Sequence, residues 1–355
     1  ENDAASQSAE SPASSHHLIT WAVSTEKGYR NTFGGNRLSI HPEMEDVHWP
    51  VHGTTPPAKQ SPPSTPNGDR SSSRRAGEIL ADGSQLFVLA DGHGGVEAPR
   101  FFVAGAVESV GAIWNERSWD LEDMDQRGEF RAQVHQAFKV LDATYASQKV
   151  EEYRRWMDAR KDTNGGDDAD LPSKAGKPVD DGCTLVVNII TKGWVININV
   201  GDSRTVVGMK ADADHGSTWD PVFESSDHNM THPAKIHHIQ RTGGQFIYPY
   251  GTLRTIELCA ADGKPITAET KIPTTPYTQL EGMRIYRPPS AQIRAVGVSH
   301  RRTLNLSATM GDLLFKVEPA VLSCVPDVEF VKLRSDRPYI LVAATDGVWD
   351  HMRVQ

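Results

Sequence analysis

Apolar runs rich in branched residues alternate with polar breaks at Leu86–Ala90, Thr184–Thr191, Trp194–Val200, Thr205–Met209 and Tyr339–Ala344. Runs of this length and composition predict β-strands. Only Lys192-Gly193 separates Thr184–Thr191 from Trp194–Val200, and so short a break predicts a hairpin. Helical periodicity runs through Val96–Trp114, Gly128–Met157 and Pro233–Thr242, the last stopped by Gly243-Gly244. Hairpin strands with a few long helices predict an α+β layered domain rather than a doubly wound parallel sheet.

Other stretches lack the composition to fill a core. Residues 1–16 are rich in Ser, Ala and Glu and read as a flexible N-terminal tail. Insertions rich in Pro, Gly and polar residues are expected at about 53–80, 161–181 and 262–300, the last partly ordered. The remainder, 17–355, reads as one domain. No repeat period is visible.

Composition narrows the classes. The chain has 355 residues with 37 Lys or Arg against 46 Asp or Glu, so its formal charge is −9. That balance speaks against a general nucleic-acid binder, and no basic stripe suggests a nuclease. Hydrophobic residues make up 38% of the chain, enough for a sizeable core. Cys183, Cys259 and Cys324 are few and far apart, which fits neither a disulfide framework nor a thiolate zinc site. No run approaches the roughly 18 apolar residues of a membrane span. The expectation is a soluble protein of a reducing compartment, cytoplasmic or nuclear, with its oligomeric state left open.

The candidate chemistry lies where apolar strands end. Leu86–Ala90 leads into Asp91-Gly92-His93-Gly94-Gly95, Trp194–Val200 into Gly201-Asp202-Ser203-Arg204, and Tyr339–Thr345 into Asp346-Gly347-Val348-Trp349-Asp350. Glu43-Met44-Glu45-Asp46 sets further carboxylates beside an expected strand. Carboxylates gathered at one sheet edge repel unless cations neutralise them. Oxygen ligands of this kind suit Mg²⁺ or Mn²⁺, and Gly92 lets a backbone carbonyl approach an ion. A single Asp-Gly is most often a turn; several with the same strand context are not. His228, His232, His237 and His238 read as a surface histidine cluster, because no cysteine or well-spaced carboxylate completes a zinc site. Asp312 and Asp350 read as loop and cap residues, Arg204 as the partner of a nearby carboxylate, and Trp349 as core.

With these motifs the sequence resembles the metal-dependent protein Ser/Thr phosphatases of the type 2C family. The resemblance also takes in Asp181-Gly182-Cys183-Thr184, Asp227-His228, Met310-Gly311-Asp312 and Val325-Pro326-Asp327-Val328, and it extends over about residues 18–355. It implies a four-layer α-β-β-α sandwich of two antiparallel sheets flanked by helices, with a binuclear metal centre at one edge. It further implies that Glu45, Asp91, the Gly92 carbonyl and Asp346 ligate a pair of Mg²⁺ or Mn²⁺ ions, with Asp91 serving both. Asp202 would hold a weaker third ion. Asp46 would hold a metal-bound water, and His93 would act as general acid. A metal-bridging water would then attack phosphoserine or phosphothreonine of a protein substrate directly.

Two departures from the family pattern bear on activity. Where the family carries a phosphate-gripping Arg, this chain has His41; Arg37 is near in sequence, but His cannot reproduce a guanidinium fork. The family also takes a ligating Asp from an Asp-Asn motif some forty residues beyond the Asp346 position, whereas this sequence stops at Gln355. The final helix and strand are therefore expected to be missing: either the sequence is truncated, or the protein lacks a ligand at one metal. An active protein phosphatase is the first expectation. A pseudophosphatase that keeps the fold as a binding or regulatory module is the alternative.

Overall fold

The structure is a computed structural model that describes residues 29–31, 38–40, 47–49, 79–163, 176–211, 218–230, 233–247, 255–256, 283–299 and 302–352. In chain order, β1 (Tyr29–Asn31), β2 (Leu38–Ile40) and β3 (Val47–Trp49) precede β4 (Gln85–Ala90) and β5 (Gly92–His93). Helices α1 (Glu97–Asn115) and α2 (Met124–Thr163) follow. Next come β6 (Gly182–Cys183), β7 (Leu185–Thr191), β8 (Trp194–Val200), β9 (Arg204–Lys210) and β10 (Trp219–Glu224). After α3 (Pro233–Arg241) the chain forms β11 (Gln245–Ile247), β12 (Thr255–Ile256), β13 (Arg284–Tyr286), α4 (Ala291–Val296), β14 (Thr303–Leu304), β15 (Met310–Gly311) and α5 (Leu313–Lys316). It continues through β16 (Asp327–Lys332) and β17 (Tyr339–Ala344) to α6 (Asp346–Trp349).

The pairing is antiparallel throughout the two main sheets. One has the order β16-β8-β7-β4-β3 and the other β10-β9-β17. The predicted hairpin is present: β7 turns into β8 at Gly193, whose φ of +86° a residue with a side chain rarely adopts. On one face of the larger sheet, Leu86, Val88, Val187, Ile189, Ile196 and Ile198 pack beneath Phe102 and Val110 of α1 and Phe130 and Phe138 of α2. Each of these side chains contributes about 1.5–3 kcal/mol by leaving water. The opposite face meets the smaller sheet through amides. Asn197 Nδ2 donates to Asn188 Oδ1 at 2.9 Å, and Asn188 Nδ2 donates across to Thr205 Oγ1 of β9 at 3.0 Å. This α+β sandwich is the fold class expected.

A second core lies beyond the sheet edge. Tyr153 of α2 packs there with Ile236 and Ile239 of α3, Phe246 of β11, Ile285 of β13, and Leu314 and Phe315 of α5. Among the described residues no helix is long and apolar enough to cross a membrane.

Several expected boundaries move. The helix expected from Gly128 begins at Met124, because Asp123 Oδ1 accepts the Asp125 amide at 2.8 Å while Gln126 Nε2 donates to Asp123 Oδ2 at 3.2 Å. Residues 161–181, expected to be an insertion, end in Asp181, which is 1% exposed and accepts the Ala98 amide of α1 at 2.9 Å. Within 262–300 the partial order expected is found in β13 and α4. Ser290 Oγ caps α4 by accepting the Ile293 amide at 3.2 Å, and Gly297 closes it with φ +82°.

Candidate metal centre

Topology brings the strand-end aspartates to one edge. Strands β4 and β8 both run antiparallel to β7, so they end on the same side, and Asp91 and Asp202 follow those ends. The chain then crosses to the second sheet through Gly201, whose φ of +105° belongs to glycine and whose Cα approaches Thr184 so closely that a Cβ would lie 2.5 Å from Cγ2. In the second sheet Ala344 of β17 pairs with Arg204 of β9, which places Asp346 beside the Asp202 turn. At the far side Val47 pairs with Ala90, the residue before Asp91.

Thr184 holds this edge together, and sequence reading gave it no role. Its amide donates to the Asp91 carbonyl at 2.9 Å, and its Oγ1 accepts the Asp91 amide at 3.0 Å. The same oxygen lies 2.7 Å from Ser203 Oγ, next to Asp202. One hydroxyl therefore holds the backbone of Asp91 and the side chain that follows Asp202. Thr184→Val leaves the Asp91 amide without its acceptor in a region closed to water. The expected cost is about 1–3 kcal/mol, read as a lower urea midpoint, with Thr184→Ser close to the parent.

His228 gives the same edge a second support. It is fully buried; its Nδ1 accepts the Gly201 amide at 3.1 Å and its Nε2 lies 3.2 Å from Asp327 Oδ2. The expected surface histidine cluster is therefore corrected at this residue: with Nδ1 accepting the Gly201 amide, the ring belongs to the turn before Asp202. His232 lies outside the described residues.

Burial and the neighbouring Asp346 and Asp227 push the Asp202 carboxyl up to about 7. Burial, followed by Asp346, also raises Asp350. Arg204 restrains part of this charge: its Nε and Nη2 reach the two Asp227 oxygens at 2.9 and 2.7 Å, and its Nη1 reaches Glu224 at 2.6 Å. The carboxylate partner expected for Arg204 is thus Asp227, with Glu224 added. Trp349 straps α6 to the sheet by donating its indole N–H to the Ala344 carbonyl at 2.9 Å and the Arg204 carbonyl at 3.2 Å.

The oxygen donors Asp91, Gly92, Asp202 and Asp346 have the chemistry of a hard-cation site. Burial first, and then repulsion from Asp346 and Asp227, makes the Asp202 anion costly, and a divalent ion would relieve it, so the residues present fit the metals that the resemblance implies. Among the described residues no three His, Cys, Asp or Glu side chains form a group able to hold an ion by themselves. Glu45 and Asp46, as well as Arg37 and His41, lie outside the described residues.

His93 lies on β5, which pairs with β6 so that His93 faces Gly182. Its Nε2 lies 3.0 and 2.9 Å from the two carboxylate oxygens of Asp312. Asp312 is therefore not the cap residue expected: it precedes α5 but caps none of its amides with its side chain.

The sequence comparisons agree on one family. The protein phosphatase 2C model matches residues 124–355, a span that includes Asp202 and Asp346 and begins after Asp91 and His93. The probable protein phosphatase 2C 21 of Oryza sativa subsp. japonica is 28% identical over 176 residues, which is 50% of this chain and 36% of that protein. The matched part is thus little more than a third of the rice protein's length. Among solved structures, the serine-threonine phosphatase 2C of Toxoplasma gondii has a TM-score of 0.49 at 19% identity, covering 78% of this chain and 72% of that one. A sex-determining protein of C. elegans has a TM-score of 0.44 at 15% identity, covering 76% and 45%.

Proposed function

Since this chain belongs to the protein phosphatase 2C family, whose model matches more than half of it, we propose that it is a metal-dependent protein serine/threonine phosphatase acting on phosphorylated proteins. The observation that carries this reading is the gathering of Asp91, Asp202 and Asp346 at one sheet edge, where burial and the charge of Asp346 make the Asp202 anion costly. In this proposal one domain runs from 17 to 355. Glu45, Asp91, the Gly92 carbonyl and Asp346 hold two Mg²⁺ or Mn²⁺ ions, Asp202 serves a weaker third, and Asp46 orients a water.

Bound ions would supply a water of lowered pKa and a clamp on the phosphate oxygens. The chain's own residues do the rest. Thr184 and His228 fix the backbones that carry the carboxylates. His93 protonates the departing Ser or Thr oxygen, a group too basic to leave readily unaided. Arg37 or His41 is proposed to meet the phosphate, and a histidine there gives a weaker grip than a guanidinium fork.

Phosphate release from a phosphothreonine peptide with Mn²⁺, lost on adding EDTA, tests the reading. A second measurement does not depend on turnover. Mn²⁺ at a hundred times its dissociation constant is expected to stabilise the fold by about 2.7 kcal/mol, seen as a higher Tm that EDTA reverses. Metal stabilisation without phosphate release would favour the regulatory module, a reading to which His41 lends weight. Neither effect would sink the metal centre altogether.

A further inference from the structure

Given the phosphatase reading above, we propose that Asp312 is the positioning residue of His93, fixing the imidazole by its Nε2 so that Nδ1 carries the proton delivered to the leaving oxygen. The Asp312 side chain has no exposed surface, yet both of its oxygens lie within hydrogen-bond distance of His93 Nε2, at 3.0 and 2.9 Å. Nothing local requires this. Asp312 adopts φ +59°, a conformation that costs a residue with a side chain and persists only where its surroundings impose it.

The surroundings impose it from three sides. The Asp312 amide donates to the Asp181 carbonyl at 2.8 Å. Arg302 Nη2 lies 3.0 Å from Asp312 Oδ1 and also donates to the His93 carbonyl at 3.3 Å, so one guanidinium grips the carboxylate and the backbone of the histidine it faces. Asp180 stands behind it, with Oδ2 3.7 Å from Arg302 Nη1. At Gly182 an added Cβ would lie 2.2 Å from Asp312 Oδ2, so only glycine lets the carboxylate reach the ring. Burial alone would raise the Asp312 carboxyl, but His93 and Arg302 outweigh it and hold the group down at about 2. An anion at that point accepts a hydrogen bond from Nε2–H and aligns the ring, as a carboxylate does for a catalytic histidine in other hydrolases.

The proton inventory closes. Water adds to phosphorus as the P–O ester bond breaks, and the Ser or Thr oxygen leaves with the bonding electron pair. It takes the Nδ1 proton of the imidazolium and departs as an alcohol. The Nε2–H stays on the ring against Asp312, and the neutral ring regains its lost proton from solvent, into which the attacking water has released one.

The test compares two leaving groups with Mn²⁺ present. A phosphothreonine peptide leaves as an alkoxide that needs a proton, whereas p-nitrophenyl phosphate leaves as a stable phenolate. For Asp312→Asn, kcat on the peptide is expected to fall by about 10²-fold or more, while kcat on the aryl ester stays within about threefold. Adding Asp312→Asn to His93→Gln should cause little further loss on the peptide, since the two residues act as one unit. Equal losses on both esters, no loss on the peptide, or additive losses with His93→Gln would each overturn the proposal. If the variant does not fold, the imidazole ¹⁵N spectrum of the wild-type protein decides: the proposal requires a hydrogen-bonded proton on His93 Nε2, and a ring protonated only at Nδ1 would refute it. A wild-type protein inactive on both esters would remove the phosphatase reading and the catalytic role together, whereas an active wild type with equal losses would remove only the role of Asp312.

Discussion

Asp91→Asn is expected to lower metal-dependent phosphate release from a phosphothreonine peptide by more than the roughly 10²- to 10³-fold that losing one electrostatic stabiliser costs. The reason is that this carboxylate is proposed to serve both ions, so one substitution weakens two sites. The backbone is held whatever the side chain, because Thr184 takes the Asp91 amide at 3.0 Å and gives its own amide to the Asp91 carbonyl at 2.9 Å. Asn fills the same space as Asp without its charge. The metal-free variant should therefore melt at or near the parent temperature while the Mn²⁺-induced rise in Tm shrinks. Titrating Mn²⁺ against activity and against Tm in the same preparation checks both halves. Full activity in the variant would sink the two-metal assignment.

The largest expected loss of stability lies away from the proposed chemistry, at the buried pair of Asp142 and Lys316. Lys316 Nζ lies 3.1 Å from Asp142 Oδ2, with side-chain exposures of only 5% and 8%. The ammonium also donates to the Thr309 carbonyl at 2.8 Å, and Asp142 Oδ1 accepts the Gly311 amide at 2.8 Å. Burial works against the Lys316 charge, but Asp142, with smaller help from Cys324 and Asp312, outweighs it and raises its pKa. Removing one partner strands the other charge out of water, so Asp142→Ala and Lys316→Met are each expected to cost about 3–5 kcal/mol in urea unfolding. A domain of ordinary stability has about 5–15 kcal/mol in total. Asp142→Leu combined with Lys316→Met should be markedly more stable than either single variant, because no lone charge remains. The Asp142 variant carries a second consequence, since the Gly311 amide it releases adjoins Asp312.

What could be read from the sequence was local. Strand ends at Asp91, Asp202 and Asp346 were legible because a short apolar run that stops at Asp or Gly-Asp announces its own boundary. The hairpin at Gly193 was legible for the same reason. Strand β10 was not: it carries Pro221, pairs with a register shift between Pro221 and Phe223, and exposes most of its side chains, so its only signal is its partner β9. The start of α2 was present in the sequence as Asp123 followed three residues later by Gln126, a capping pattern obscured by the polar residues around it. The contact between His93 and Asp312 spans 219 residues, and no spacing rule reaches that far. Thr184 and His228 were hidden differently. Each looks like part of a motif, and its role appears only when the backbone amide it receives is known.

Helix α2 runs 40 residues and takes part in both cores, with Phe130, Val134 and Phe138 in the first and Tyr153 in the second. Midway along it Tyr145 donates its hydroxyl to Asp181, which in turn accepts the first-turn amide of α1 at Ala98. The two cores therefore share one rod and are expected to open as one foldon: melting the second strips α2 of its packing around Tyr153 and loosens the clasp that starts α1. Amides in both cores are thus expected to share a single opening event, with the aspartate edge inside that one cooperative unit.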